Sequence, residues 1–268
     1  MPALARLRLL LPLLAGALVT AAAVALGNWQ VRRAQEKAEL QAVLDAAARR
    51  PALRLAALPG IGGLEAGRVL RLEGEWLPAA GVFLDNRTHA GRAGYHVLMP
   101  LRLADGSGAV LVNRGWVSAG ADRGVLPAVP ADPGRVVVDG RLQVPEADAF
   151  TLARAGQGTQ GRVWQVLDMA RLAERSVVEG GGAVLPLCPG QAGDAACFAP
   201  WLVLQTSASG DGLVRDWLLP AAGIDRHRGY AFQWYALAAL AAALTGAHAW
   251  RVFLRRTHDE RNPRLAGH

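Results

Sequence analysis

Lysine is almost missing from this chain of 268 residues, in which Lys37 is the only one and arginine supplies the other basic residues. The formal net charge is +7, and five of these charges lie in residues 1–8 and 251–268. The long stretch between these ends therefore carries only +2. A nucleic-acid-binding domain needs a basic stripe or patch on its folded part, so this distribution predicts no nucleic-acid partner.

The common catalytic motifs are also missing. The chain contains no G-x-S-x-G, H-E-x-x-H or P-loop pattern, the arrangements that serve serine hydrolases, zinc proteases and nucleotide hydrolases. His89 and His96 have no further ligand nearby at a zinc-binding spacing. We therefore predict no catalytic residues and a protein that is not an enzyme.

Cysteine is scarce, with only Cys188 and Cys197 in the whole chain. Two cysteines separated by a short loop most simply form a disulfide in an oxidising compartment. Copper binding by the two thiolates is the alternative, but it needs histidine or methionine ligands that the neighbouring sequence does not offer. We expect the disulfide.

Long apolar runs, in contrast, are present at both ends. Leu9 to Leu26 contains no charge, and its extension to Trp29 reaches the roughly 20 residues that a bilayer core requires. A cleaved signal peptide is the alternative, with Arg6 and Arg8 before the run and small residues at 21–25 as a cleavage site. The run exceeds the ~7–15 apolar residues of a signal peptide, which favours a retained transmembrane helix at 9–29.

The second apolar run covers residues 229–250 and contains no formal charge. Aromatic residues stand near both of its ends, as they do at the two interfaces of a bilayer. Five arginines follow in the tail 251–268, and arginine-rich flanks stay on the cytoplasmic side. We therefore predict a second transmembrane helix, a cytoplasmic basic tail, both termini in the cytoplasm, and an extracytoplasmic domain at 30–226.

The residues between the two runs change from a helical to an alternating pattern. Residues 31–50 contain no glycine or proline and extend the first helix to Pro51. Alternating or β-branched stretches then indicate strands, with one or two helical turns at 168–175. The fold class is thus two transmembrane α-helices flanking a β-rich, mostly antiparallel α+β domain. The predicted strands cover 69–76, 82–87, 95–99, 109–117, 136–142, 163–166 and 201–206.

One constellation stands where the second apolar run begins. His227, Tyr230 and Trp234 are spaced i, i+3 and i+7, which puts them on one face of a helix. An imidazole beside two aromatic rings at an apolar–polar boundary suits a flat amphipathic macrocycle such as haem, whose iron a neutral imidazole can bind. The alternative is an interfacial histidine among ordinary belt aromatics.

Four separated blocks of residues stand out between residues 27 and 234. The first leaves the first apolar run, the second and third lie on predicted strands, and the fourth opens the second run. They are Gly27-Asn28-Trp29-Gln30 with Arg33 and Lys37; Leu84-Asp85-Asn86-Arg87 with Gly91, Gly94 and Tyr95; Val112-Asn113-Arg114-Gly115-Trp116-Val117; and His227, Tyr230-Ala231 and Trp234. In these residues and in their order the chain resembles the Surfeit locus family of cytochrome c oxidase assembly factors.

The resemblance implies a role in assembling the haem–copper oxidase of a bacterial inner membrane. It implies haem a as cofactor, with His227 as the iron ligand and Tyr230 and Trp234 beside it. The expected partners are the oxidase catalytic subunit, the machinery that makes haem a, and the lipid bilayer. Arg226 and Arg228 depart from the family's pattern, and they either pair with haem propionates or form the solvated end of the helix.

Two alternatives accompany this prediction. The protein is either a scaffold that holds an oxidase subunit without haem, or a membrane-tethered enzyme with a polar pocket in its β-rich domain. The polar residues of the strand blocks also have two interpretations, because they either contact a partner or fix the sheet through hydrogen bonds to loop backbone. The partner or structural set comprises Trp29, Gln30, Asp85, Asn86, Arg87, Asn113, Arg114, Gly115 and Trp116.

Overall fold

The computed structural model describes residues 2–55, 58, 64–143, 161–178, 185–188, 196–217 and 223–261. It divides the chain into two compact units, a helical unit of residues 1–41 with 219–268 and a β-rich unit of residues 42–218. The predicted architecture is confirmed at this level: an N-terminal and a C-terminal helix apolar enough to span a membrane, with a β-rich domain between them in the sequence.

The helical unit consists of most of α1 (Pro2–Arg49) and all of α3 (Ile224–Arg261). Both helices expose their apolar side chains: only 11% of the most apolar stretch of α1 and 6% of that of α3 is buried. A core helix of a soluble protein would be mostly buried, so this exposure suits helices whose outer faces meet lipid. The predicted bilayer boundaries, 9–29 and 229–250, stay predictions.

The described part of the β-rich unit contains eight strands and the helix α2 (Met169–Val178), whose first turn is capped by the Asp168 carboxylate. A single turn of 3₁₀ helix, Pro78–Ala80, precedes the third strand. The strands are β1 (Leu53–Leu55), β2 (Val69–Trp76), β3 (Val82–His89), β4 (Arg92–Leu103), β5 (Gly108–Ser118), β6 (Arg135–Gln143), β7 (Val163–Trp164) and β8 (Cys197–Gln205).

Five of these strands close into a ring. The order around the sheet is β1-β2-β6-β8-β5-β4-β3-β7, and an extra pairing of β2 with β4 joins the two ends of the segment β2 to β4. Strand β2 can do this because its two ends have different partners: residues 69–75 pair with β6, and residues 74–76 pair with β4. Closure leaves β1 outside on one side and β3 with β7 on the other.

Alternation along each strand fills the ring with apolar side chains. On β2, Leu70, Leu72 and Trp76 point inward while Arg71 and Glu75 point outward. Strand β5 is buried on both faces, because Val110 and Val112 enter the ring whereas Ala109 and Leu111 pack towards α2. A strand covered on both faces reads as a continuous apolar run, which is how residues 109–112 appear in the sequence.

Each predicted strand overlaps an observed one, and the mostly antiparallel arrangement is confirmed with five antiparallel and three parallel pairings. Strand β1 was missed because three residues are too short to show alternation. Strands β4 and β8 are longer than predicted because each continues through a proline, Pro100 or Pro200. Pro200 stands where the pairing of β8 with β5 shifts register, a position at which a strand tolerates proline.

Cys188 and Cys197 are joined by a disulfide at the start of β8. The amide of Cys188 donates to the carbonyl of Phe198, and the amide of Phe198 donates to the carbonyl of Pro186. The crosslink therefore ties the segment 186–188 to the first residues of β8. Residues 189–195 lie outside the described residues, as do residues 262–268 of the basic tail.

Ring closure predicts a severe effect of adding one methyl group at Gly74. A Cβ there would overlap the carbonyl oxygen of Arg102 and lie 3.2 Å from Leu101 Cγ, exactly where β2 passes from β6 to β4. We expect Gly74→Ala to lower the free energy of unfolding by about 2 kcal/mol or more. Denaturant unfolding in detergent, followed by tryptophan fluorescence, measures it. Gly210→Ala is the control, since Gly210 has open space around it; equal midpoints for the two variants would contradict the closure described here.

Candidate functional site

The helical unit is held together by close approach of α1 and α3. The contacts run antiparallel: Gly16 lies against Thr245 and Gly27 lies against the ring of Tyr235, in both cases so closely that a Cβ on the glycine would overlap the opposite side chain. Buried alanines complete the seam, with Ala23 and Ala34 on α1 and Ala231 and Ala238 on α3. Small residues of this kind let two apolar helices pack by direct contact.

Two polar pairs cross this seam. The Tyr235 hydroxyl donates to Asn28 Oδ1 over 2.6 Å, and His227 Nδ1 lies 2.7 Å from Gln30 Oε1. Gln30 is 9% exposed and His227 is half-buried in the first turn of α3. An amide oxygen only accepts hydrogen bonds, so His227 Nδ1 carries the proton in this contact. In a neutral imidazole this leaves the lone pair on Nε2.

The predicted face of α3 is partly used for packing on α1. Ala231, one turn after His227, is buried in the seam, and Trp234 is half-buried. Tyr230 exposes 46% of its surface, and Trp29, next to Gln30, exposes 50%. The imidazole thus stands at the edge of the helix pair with exposed aromatic surface close to it in sequence on both helices.

In the β-rich unit, the two strand blocks fall on β-bulges on either side of β4. On β3, Leu84 pairs with His96 but Arg87 pairs with Gly94, so Asp85 and Asn86 together face a single residue of β4. Asn86 has a φ of 59°, and its amide donates to Asp85 Oδ1 over 2.7 Å. A bulge re-aims the neighbouring side chains, which explains why this block departs from simple alternation.

The second bulge lies on β5. Val97 pairs with Gly115 while Leu98 pairs with Asn113, so Arg114 is the extra residue. Its guanidinium turns into the ring, where it lies 4.8 Å from the centroid of the Trp76 ring and donates to Met99 Sδ over 3.6 Å. Arg114 is 1% exposed. The bulge is therefore what brings a charged side chain into an otherwise apolar interior.

A carboxylate accompanies that buried charge. Arg114 Nη2 donates to Asp211 Oδ2 over 2.8 Å, and Arg215 Nη2 donates to the same oxygen over 2.5 Å. Burial of the Asp211 carboxyl acts to raise its pKa, but the hydrogen bond from Arg215, the amide of Leu213 and the two positive charges outweigh it, so the pKa is lowered. Burial lowers the pKa of Arg114. A buried ion pair of this type is costly to break, so it fixes segment 211–215 on β5.

The two bulges are also connected to each other. Trp116 Nε1 donates to the carbonyl of Arg87 over 2.8 Å, and the backbone of Trp116 pairs with Val214. Asn113 Oδ1 accepts from the amide of Gly115 over 3.3 Å. Side chains of the two blocks therefore make hydrogen bonds to backbone, as expected if these blocks fix the sheet. Among the described residues, Arg87 Nε is buried without a hydrogen-bond partner.

The sequence that contains the two bulges and the Gln30–His227 pair was compared with models of known protein families. A model of the SURF1 family matches residues 17–239, more than four-fifths of the chain. The chain belongs to the SURF1 family. SURF1 proteins are linked in general to the assembly of cytochrome oxidase and are assembly factors rather than known enzymes. A search of curated proteins found no match. The matched range includes both bulges and the parts of the two helices that carry Gln30 and His227.

Sequence reasoning named Gln30, Arg114 and His227 among the SURF1-family positions, but it missed Asp211 and the way in which these residues pair. Gln30 and His227 are 197 residues apart, and Arg114 and Asp211 are 97 apart. The first pair could have been suspected from Gly16 and Gly27, which indicate an antiparallel partner at close range. For Asp211 the sequence carries no signal, because a bulge that turns one arginine inward is invisible in the residue pattern.

His96, dismissed as a zinc ligand, has a different environment from the surface histidines. It lies on β4 with Nδ1 3.3 Å from Asn113 Nδ2 and its ring 5.7 Å from that of Trp217, edge to face. Burial, reinforced by the positive charge of Arg87, lowers the pKa of His96 from its ordinary 6.5 to about 4. The imidazole is therefore neutral at pH 7 and accepts from the Asn113 amide.

A cavity of about 450 Å³ lies beside β3 and β4 in the same unit. Its walls are mostly apolar, from Pro78 through Phe83 on one side and Leu126 to Val129 on the other. Among the described residues that line it, Arg162 is the titratable one. Its Nε donates to the carbonyl of Gly81, and its guanidinium lies over the Phe83 ring, 5.6 Å from the centroid. The enzyme alternative predicts a polar pocket with several titratable groups. This cavity differs from such a pocket because its described walls are mostly apolar.

The buried His96 predicts a loss of stability in mild acid. As the pH falls, the unfolded chain binds a proton near pH 6.5 but the folded chain resists until about pH 4, so stability is lost across that window. We expect the loss from this group to be on the order of 3 kcal/mol between pH 6.5 and 4. Denaturant unfolding of wild type and His96→Gln at several pH values measures it.

Wild type and His96→Gln should differ in how their free energy of unfolding depends on pH. His96→Gln keeps an acceptor for the Asn113 amide but cannot titrate, so its stability should fall less steeply from pH 6.5 to 4. The Asp211 carboxylate acts at lower pH, because its lowered pKa means that stability is lost only as the pH falls further. Parallel pH profiles for wild type and variant would contradict a buried neutral His96.

Proposed function

We propose that this SURF1-family chain is a membrane-bound assembly factor for cytochrome c oxidase that binds haem a through His227. The observation that carries the proposal is the contact of His227 Nδ1 with Gln30 Oε1 at 2.7 Å. It leaves Nε2 of the neutral imidazole as a donor to a metal. The partners we propose are the oxidase catalytic subunit and the machinery that makes haem a.

Insertion into a bacterial inner membrane is part of the proposal. Support comes from the exposed apolar faces of α1 and α3 and from the seam of small residues between them. The seam also argues for α1 as a retained anchor, since a cleaved signal peptide would leave α3 without its partner. We propose that both termini are cytoplasmic and the β-rich domain is extracytoplasmic, because five arginines follow the apolar part of α3.

The residues around His227 fit a haem group in their chemistry. One imidazole is half-buried with a single ring nitrogen engaged, and Tyr230 and Trp29 add exposed aromatic surface that suits the face of a porphyrin. Arg226 and Arg228 are exposed, and Arg228 has only a solvent-exposed ion pair with Asp225 at 3.6 Å. Guanidinium groups of this kind can pair with propionates. When bound, haem a would be the redox and ligand-binding cargo; the chain holds and orients it.

The scaffold alternative differs in what it asks of His227. A scaffold needs the helix seam and the exposed helix faces for contact with an oxidase subunit, but it does not need a free imidazole nitrogen. An imidazole held in a fixed tautomer by a buried amide is more than helix packing requires, because the Asn28–Tyr235 pair already crosses the same seam. We therefore favour haem binding.

Replacing His227 provides the direct test. Full-length protein co-expressed with haem a synthesis enzymes and purified in detergent should show haem a absorption bands close to one haem per chain. His227→Ala should lose at least about 90% of this haem, because removal of the iron ligand leaves only aromatic and charge contacts. The visible spectrum and a pyridine haemochrome assay measure both values.

His248→Ala serves as the matched control, since it removes another histidine of α3, 21 residues along the helix. It should keep the haem of the wild type. Near-UV circular dichroism checks that each variant is folded. A wild type without haem, although haem a is available, would refute the haem mechanism and favour the scaffold alternative.

A further inference from the structure

The buried amide of Gln30 has a specific relation to the proposed iron ligand. Gln30 is on α1 and His227 is on α3, so the bond of 2.7 Å joins residues from opposite ends of the chain. Gln30 is 9% exposed, which is unusual for a residue with an amide side chain next to an apolar helix segment. A buried amide persists only where its polar atoms are used.

The immediate surroundings hold this amide in place. Ala34, one turn further along α1, is 5% exposed, and Ala231, one turn after His227, is 4% exposed. The pair is therefore bracketed by a closely packed part of the seam. A side chain held between packed turns loses little further freedom when it makes its bond, so Gln30 Oε1 is a fixed acceptor for the imidazole.

A fixed acceptor at Nδ1 determines three properties of the imidazole. It selects the tautomer with the proton on Nδ1, it sets the rotation of the ring, and it raises the electron-donating strength of Nε2. Metal-binding histidines commonly have such a partner on the second nitrogen, and its loss typically weakens metal binding by about 10–100-fold. An isolated interfacial histidine has no need of it.

From this geometry we propose that Gln30 is a positioning residue for haem: it orients His227 so that Nε2 is the iron ligand, and it tunes the strength of that ligand. This inference rests on haem binding by His227, as proposed above. It assigns Gln30 a role through His227 rather than by contact with the cofactor, so its effects should appear in ligand strength as well as in retention.

The test compares three variants of the full-length, haem-a-loaded protein in detergent. Gln30→Ala removes the acceptor, Gln30→Glu replaces it with a charged acceptor, and Asn28→Ala removes the other polar pair of the same seam, the one with Tyr235. The readouts are the rate of haem loss to excess apomyoglobin, the visible spectrum, and the midpoint potential of the bound haem.

We expect Gln30→Ala to lose haem about 10–100-fold faster than wild type, and Asn28→Ala to stay within about twofold. Gln30→Glu should retain haem, and its midpoint potential should become more negative, because a carboxylate accepts more strongly from Nδ1 and so makes Nε2 a stronger donor to the oxidised iron. A general loosening of the helix seam would instead speed haem loss in Gln30→Ala and Asn28→Ala alike.

The outcomes separate this inference from the proposed function. Wild type without haem refutes haem binding itself. If wild type is loaded and His227→Ala is empty, but Gln30→Ala retains haem at the wild-type rate, the positioning role is refuted and haem binding stands. Should Gln30→Ala fail to fold, Gln30→Glu decides the matter: an unchanged midpoint potential with bound haem refutes the role of Gln30.

Discussion

Strand β4 is central to the β-rich unit, because it pairs with three other strands, as β2 does, and also lies opposite the bulges on β3 and β5. It has β3 on one side, β5 on the other, and β2 at its end, where the last pairing closes the ring. Both neighbours carry a bulge opposite β4. The two strand blocks of the sequence are therefore, in the structure, the bulges on either side of β4.

The same bulges explain why polar residues interrupt apolar strands. The bulge on β5 turns Arg114 into the ring, where Asp211 neutralises it, and this pair fastens the segment that leads from β8 towards α3. The bulge on β3 puts the carbonyl of Arg87 within reach of Trp116. The bulges thus join segments that are far apart in sequence. The bulge on β5 also buries a charge that must stay paired.

The helical unit follows the principle that polar groups among apolar side chains need partners. Glycine and alanine bring α1 and α3 together, and the polar side chains on the seam then meet in pairs: Asn28 with Tyr235 and Gln30 with His227. The first pair only joins the helices. In the second pair one ring nitrogen of His227 is engaged by Gln30, and this is the observation on which the proposed haem site rests.

Sequence reasoning succeeded where a local pattern has one physical cause. The two long apolar helices followed from uncharged runs, and strands such as 69–76 followed from alternation, since one face is buried and the other is not. It failed where structure depends on non-local pairing. The short β1 carries no period, the inward turn of Arg114 needs the bulge, and the acceptor for His227 lies on a helix at the other end of the chain.

The measurement that tests the central claim, haem a binding through His227, most directly is the haem a content of cytochrome oxidase from cells with and without this protein. Oxidase would be purified from cells lacking this chain and from cells complemented with wild type or His227→Ala, and haem a would be measured per catalytic subunit. The account predicts oxidase deficient in haem a in the deletion, restored by wild type and not by His227→Ala. Oxidase with its full haem a in cells that contain only His227→Ala would contradict it.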